Sequence, residues 1–149
     1  MYRVLVPIDS SEERTAAQAE AVASLPDAAG SVEATLLYVF EDRDTAESTS
    51  VTQLRTGSTA EERLLDGGVS VETATRHGDP AEEILEAAEE IDADLIVLGG
   101  RKRSPLGSLL FGSVSQAVTL DATRPVIVTG GVKESETEEE GEEEPDPVA

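Results

Sequence analysis

Fifteen residues, GGRKRSPLGSLLFGS from Gly99 to Ser113, gather what an anion asks of a protein. Arg101, Lys102 and Arg103 are consecutive, three of only eleven bases in a chain whose formal charge is −21. Such side chains bind phosphate or carboxylate through charge-assisted hydrogen bonds. Gly99, Gly100, Gly107 and Gly112 let backbone amides approach a ligand, and a helix starting near Ser113 would add unpaired N–H groups and a positive dipole end. The chemistry this suits is anion binding, phosphate first. Asp9, after the apolar run Val4-Leu5-Val6-Pro7-Ile8, is a second candidate, a single carboxylate just past a strand end, where open α/β sheets bind ligands. Simpler readings stand beside these. Ser113 can be only a helix cap, Asp9 only the end of a strand, and the basic triplet only a solvated loop or an anchor for the chain's own acids. His77, with no second histidine or cysteine to join it, reads as structural or surface.

Composition removes much else. With no cysteine and one histidine there is no disulfide framework, thiol nucleophile or Cys/His zinc site. The sequence has no G-x-x-x-x-G-K-[ST], G-x-G-x-x-G or G-x-S-x-G pattern, so an enzyme is the least supported reading. Acids number 32 against 11 bases, which argues against nucleic acid and anionic membrane as partners. The longest apolar runs are strand-sized and the first residues lack a signal-peptide layout, pointing to a cytoplasmic protein.

The charge divides the 149 residues into two parts. Residues 132–149 hold nine acids and one base and read as a disordered acidic tail, leaving residues 1–131 as one α/β domain with a charge of −13. Only Lys102 and Lys133 are lysines. A carboxylate-rich, lysine-poor surface suits molar salt, where the Debye length falls to about 3 Å, so the expected setting is a high-salt cytoplasm.

The elements that must position these residues alternate. Arg3 to Asp9 is a nearly continuous apolar strand, and Ser10-Ser11-Glu12-Glu13 has capping-box spacing ahead of an alanine-rich helix from Thr15 to Leu25, closed by Pro26. Ser31 to Phe40 is a second strand. Residues 45–58 are polar and weakly patterned, expected as a loop or frayed helix, until Thr59-Ala60-Glu61-Glu62 opens a helix that Gly67-Gly68 stops. Val69, Val71 and Thr73 alternate as a third strand near the sheet edge, with His77 just beyond it. Asp79-Pro80-Ala81-Glu82 caps a helix whose Ile84, Leu85, Ala88 and Ile91 share a face. Asp94 to Leu98 is a fourth strand, Ser113-Val114-Ser115-Gln116 a helix start with Ser113 as cap, and Pro125 to Thr129 a fifth strand. The order predicts one open, doubly wound, parallel five-stranded sheet with helices on both faces. Ligands of such sheets sit beyond the carboxyl ends of the strands, which puts Pro7 to Asp9 and Gly99 to Ser113 at one crest.

On these residues the chain resembles the universal stress protein family. The resemblance rests on Val4-Leu5-Val6-Pro7-Ile8-Asp9-Ser10-Ser11-Glu12, on Leu36-Leu37-Tyr38-Val39, on Gly78-Asp79-Pro80 and on the loop after the fourth strand, and it covers residues 1 to about 131. It implies an adenine nucleotide alpha hydrolase-like fold and an ATP, or related adenine nucleotide, with its phosphates on that loop. Nucleotide-binding members carry G-x2-G-x9-G-[ST]; here Gly99, Gly112 and Ser113 match and Lys102 replaces the second glycine. The resemblance further implies that Asp9 and Val39 hold the adenosine end, that Pro7 lines the pocket, and that Leu98, Gly99, Gly112, Ser113 and Val114 meet ribose and phosphates. A magnesium ion would come only with the nucleotide. A lysine at position 102 either fills phosphate space or, with Arg101 and Arg103, adds charge-assisted bonds of roughly 1.5–3 kcal/mol. The same resemblance implies a homodimer through Val126, Ile127 and Val128, and allows an alternative function as a nucleotide-free interaction module acting through protein partners.

Overall fold

The computed structural model describes residues 1–100 and 112–130. The basic triplet Arg101, Lys102 and Arg103 and the acidic tail lie outside the described residues.

The first strand, β1 (Tyr2–Pro7), is central because it is apolar on both sides: Val4 and Val6 face one layer and Leu5 the other, all essentially inaccessible. It pairs in parallel with β2 (Val32–Phe40) from Tyr2 opposite Val32 to Pro7 opposite Leu37, and with β4 (Leu95–Leu98) at Val4 opposite Leu95 and Leu5 opposite Ile96. Outside them lie β3 (Ser70–His77), paired with β2, and β5 (Val126–Val128), paired with β4. The order β3-β2-β1-β4-β5, parallel throughout, is the expected doubly wound sheet.

Helices cover both faces. Under α1 (Glu12–Ala23) and α4 (Arg55–Asp66) lies a core of Val4, Val22, Leu36, Leu64 and Val97; under α5 (Pro80–Glu90) and α6 (Ser113–Asp121) lies one of Leu5, Leu37, Ile84, Ile96 and Val118. Each core buries alternate residues of the same strands, as period-two side chains require. Among the described residues no helix is long and apolar enough to cross a membrane.

Several local expectations change. Ser11, not Ser10, caps α1: its backbone N–H donates to Asp9 Oδ1 at 2.9 Å, turning the chain so that the Ser11 hydroxyl accepts from Arg14 N at 3.2 Å. Between these elements sits a short α2 (Ala28–Ser31). Residues 45–58, expected as a loop or frayed helix, take the helical alternative in pieces. Asp42 caps α3 (Arg43–Ser48), a 3₁₀ turn at Val51–Gln53 is closed by Ser50 and Gln53, and α4 begins at Arg55 rather than near Thr59. Single buried anchors hold this stretch, Ala46 and Val51, and Gly57 lets α4 pass so close to the turn that a Cβ there would overlap the Val51 carbonyl. A pattern needs several apolar residues to show, and here there are too few. The Asp79 cap forms as expected, accepting from Glu82 N at 3.0 Å, while His77 is the last residue of β3 and exposed.

Candidate functional site

The chain leaves β1 towards β2 and β3 on one side and reaches β4 and β5 on the other, so the exits of β1 and β4 diverge and open a crevice. A buried side chain fastens its floor. Gln18 of α1 donates through Nε2 to the Pro7 carbonyl at 2.6 Å and to the Val97 carbonyl at 3.0 Å, supplying the donor that the parting strands no longer give each other.

Above that floor lies a cavity of about 380 Å³, within the size range of small-ligand sites. Its walls are mostly apolar. The end of β1 contributes Pro7 and Ile8, β2 contributes Leu37, Tyr38, Val39 and Phe40, and α5 contributes Pro80 and Ile84 across the opening. Leu98 at the end of β4 and Val114 in α6 close the far side. Tyr38 and Phe40 form a tilted ring pair with centroids 4.7 Å apart. Polar groups are few: Asp9, Ser10 and Glu41. Such a chamber suits a flat, weakly polar ring system with a few donors, which is the chemistry of a nucleobase and its ribose.

Asp9 does not stand alone at the rim. Arg14 donates to its Oδ2 from Nε at 3.1 Å and from Nη2 at 2.9 Å, and Thr56 Oγ1 donates to its backbone carbonyl at 2.8 Å. Among the described residues no group of three His, Cys, Asp or Glu side chains gathers as a metal site would need.

Of the expected site residues, Pro7, Asp9, Val39, Leu98 and Val114 meet in this cavity. The glycine side differs from expectation. Gly112 is itself the N-cap of α6, at a φ of −78° that any residue adopts, while Ser113 is the first helical residue and exposed, so Ser113 is not the cap. Gly99 and Gly100 are buried by the protein: a Cβ at Gly99 would press on Arg14, and one at Gly100 would overlap the Thr129 carbonyl. Their lack of a side chain serves the packing of α1 and β5 against the exit of β4. Arg101, Lys102 and Arg103 lie outside the described residues. Sequence reasoning missed Tyr38, Phe40, Pro80, Ile84 and Arg14. The aromatic alternation of β2 was a usable signal, and so was the spacing of Arg14, one turn into the helix after Asp9; the approach of α5 was not.

Away from the crevice, Arg76 of β3 binds three carboxylates of α5, Glu83 at 2.8 Å, Glu86 at 2.9 Å and Glu90 at 3.1 Å. The Glu83 hydrogen bond is the main cause that raises the guanidinium above its ordinary value, and the Coulomb attraction of the three acids adds to it.

The model of the universal stress protein family matches residues 1–130. A universal stress protein of Mycolicibacterium smegmatis is 44% identical over 68 residues, 45% of this chain and 52% of that protein. The matched segment thus spans about half the length of the curated relatives. A solved universal stress protein from Archaeoglobus fulgidus superposes with a TM-score of 0.71 at 27% identity, covering 87% of this chain and 98% of that one. Another from the same organism, solved in complex with dAMP, gives 0.67 at 22% identity over 87% and 98% of the two chains, a likeness of fold.

Proposed function

We propose that this chain, which belongs to the universal stress protein family, is a cytoplasmic regulatory protein that binds an adenine nucleotide at the crest of its sheet. The observation that carries the reading is the apolar cavity at the β1/β4 crevice, where Pro7, Asp9, Val39, Leu98 and Val114 come together. Its size and its sparse polar groups fit an adenosine, and the dAMP held by the Archaeoglobus protein of the same fold supports that choice. Asp9 and Val39 would take the adenosine end. The phosphates of ATP would reach Gly99, Gly112 and Ser113, where the N-terminus of α6 and the bases Arg101, Lys102 and Arg103 supply donors and positive charge. A magnesium ion would arrive with the phosphates, since the Asp9 carboxylate is already engaged by Arg14. No catalytic residue is assigned; binding itself, adjusting contacts with partners, would be the activity. The setting that suits the charge of −21 is a high-salt cytoplasm.

Mass spectrometry of nucleotide released from the denatured protein, followed by titration with ATP, ADP and AMP in molar KCl, tests this. Retained adenine nucleotide or saturable binding is the expected result; none at millimolar ligand overturns it. In the Lys102→Gly variant, tighter ATP binding marks the lysine as an obstruction and weaker binding marks it as a ligand. Phosphate release above background, lost in Asp9→Ala, would make the protein a slow hydrolase. A second reading, a nucleotide-free homodimeric module, is favoured by β5, the last strand of the sheet, whose Ile127 is 37% exposed between Val126 and Val128. Ile127→Lys would then shift the protein from dimer to monomer in sedimentation.

A further inference from the structure

Arg14 sits one turn into α1, five residues after Asp9, and touches both walls of the crevice. Its Nε and Nη2 converge on Asp9 Oδ2 at 3.1 and 2.9 Å, while the Ser11 amide takes Oδ1 at 2.9 Å. Its stem lies across the exit of β4: a Cβ on Gly99 would stand 3.1 Å from Arg14 Cβ and 3.4 Å from its Cδ. The pair is almost withdrawn from water, with side chains 13% and 14% exposed. A buried ion pair is a poor device for stability, because the desolvation of two ions offsets most of their attraction. What it supplies is a fixed direction. With Oδ2 held by a two-pronged guanidinium and Oδ1 by a backbone amide, the Asp9 carboxylate cannot swing, and its charge is compensated beside an apolar cavity.

We propose that Arg14 is a positioning residue of the nucleotide site, holding the Asp9 carboxylate in the one orientation in which it meets the nucleoside end of the ligand. The proposal rests on the adenine-nucleotide reading above. It assigns to a residue outside the cavity walls a share of the affinity, because a carboxylate ordered before the ligand arrives loses no rotamer freedom when it binds. Arg14 acts through Asp9, on the nucleoside and not on the phosphates, and that distinction is measurable.

Calorimetric titration of the full chain in molar KCl with adenosine and with AMP compares wild type, Arg14→Gln, Asp9→Asn, the double variant and Arg14→Lys. Arg14→Gln is expected to weaken adenosine and AMP by the same factor, about tenfold. Asp9→Asn should cost a similar factor, and the double variant no more than either single change, since both break one device. Arg14→Lys, which keeps the charge but not the two-pronged grip, should recover part of the loss. A loss confined to AMP would show Arg14 contacting phosphate directly and would overturn the proposal; so would losses that multiply to about a hundredfold in the double variant, or unchanged affinity in Arg14→Gln. If Arg14→Gln does not fold, Arg14→Lys decides: equal weakening of both ligands supports the proposal and weakening of AMP alone overturns it. Wild-type protein that binds ATP but neither adenosine nor AMP overturns this proposal alone; binding of no adenine nucleotide, ATP and ADP included, removes the nucleotide reading as well.

Discussion

Two arginines fasten strand exits in this molecule, and they do so differently. At the crest, Arg14 grips Asp9 Oδ2 through Nε and Nη2, with the two side chains 13% and 14% exposed. At the β3 edge, Arg76 meets Glu83, Glu86 and Glu90, a cluster with an excess of negative charge whose outer two acids are 65% and 70% exposed. The first arrangement sets a direction beside a cavity. The second ties α5 to β3 with largely solvated charges, away from the cavity. Burial grades between them: Arg14 and Asp9 are the more enclosed pair, Arg76 and Glu83 are 21% and 20% exposed, and Glu86 and Glu90 stand where water and salt screen them.

The comparison breaks most sharply at the floor of the crevice. Gln18→Ala leaves the Pro7 and Val97 carbonyls without their side-chain donor in a dry site, and is expected to cost about 3 kcal/mol in urea unfolding, with loss of any nucleotide binding that depends on the β1/β4 geometry. Gly100→Ala should come next, at about 2 kcal/mol by the same measurement, because its methyl group overlaps the Thr129 carbonyl and β5 must shift. Arg76→Gln tests the edge. It should cost about 1 kcal/mol, chiefly through Glu83, which is 20% exposed, and leave AMP affinity unchanged; the penalty should shrink further in molar KCl. An equal effect on AMP binding from Arg76→Gln and Arg14→Gln would erase the distinction between the two clamps.

The smallest effect belongs to Asp42, whose carboxyl is held below its ordinary value first by the Thr45 backbone N–H and then by the Thr45 hydroxyl. A depressed carboxyl stabilises above the unfolded value of 3.8 and ceases to as pH falls through the lower folded value. The α3 helix should therefore fray only in acid below about pH 4, seen as faster amide exchange at Thr45, and Asp42→Asn should lessen that dependence.

Strands and the better-capped helices were legible in the sequence because each is announced by its own neighbours. Val4 to Pro7 and Leu95 to Leu98 are apolar without interruption, and Asp79-Pro80 carries cap and first residue side by side. Four of the expected site residues, Pro7, Asp9, Val39 and Leu98, lie at or near the carboxyl ends of β1, β2 and β4, which a parallel sheet places along one edge, and Val114 of α6 faces them. The stretch 45–58 stayed ambiguous between loop and frayed helix because its helical pieces are held by isolated anchors, Ala46, Val51 and Thr56, rather than by a periodic face.

The sequence by itself determined the alternation of strands and helices, hence the parallel sheet and the crest where a ligand belongs, because period and capping act between residues a few positions apart. It also set the charge, which needs only counting. The tertiary structure alone decided what the glycines and polar side chains at that crest do: Gly100 yields to Thr129, Gly99 to Arg14, and Gln18 ties Pro7 to Val97. Those partners are up to 85 positions apart along the chain, as Arg14 and Gly99 are, and only the packing of α1 and β5 against the parting strands brings them within reach of one another.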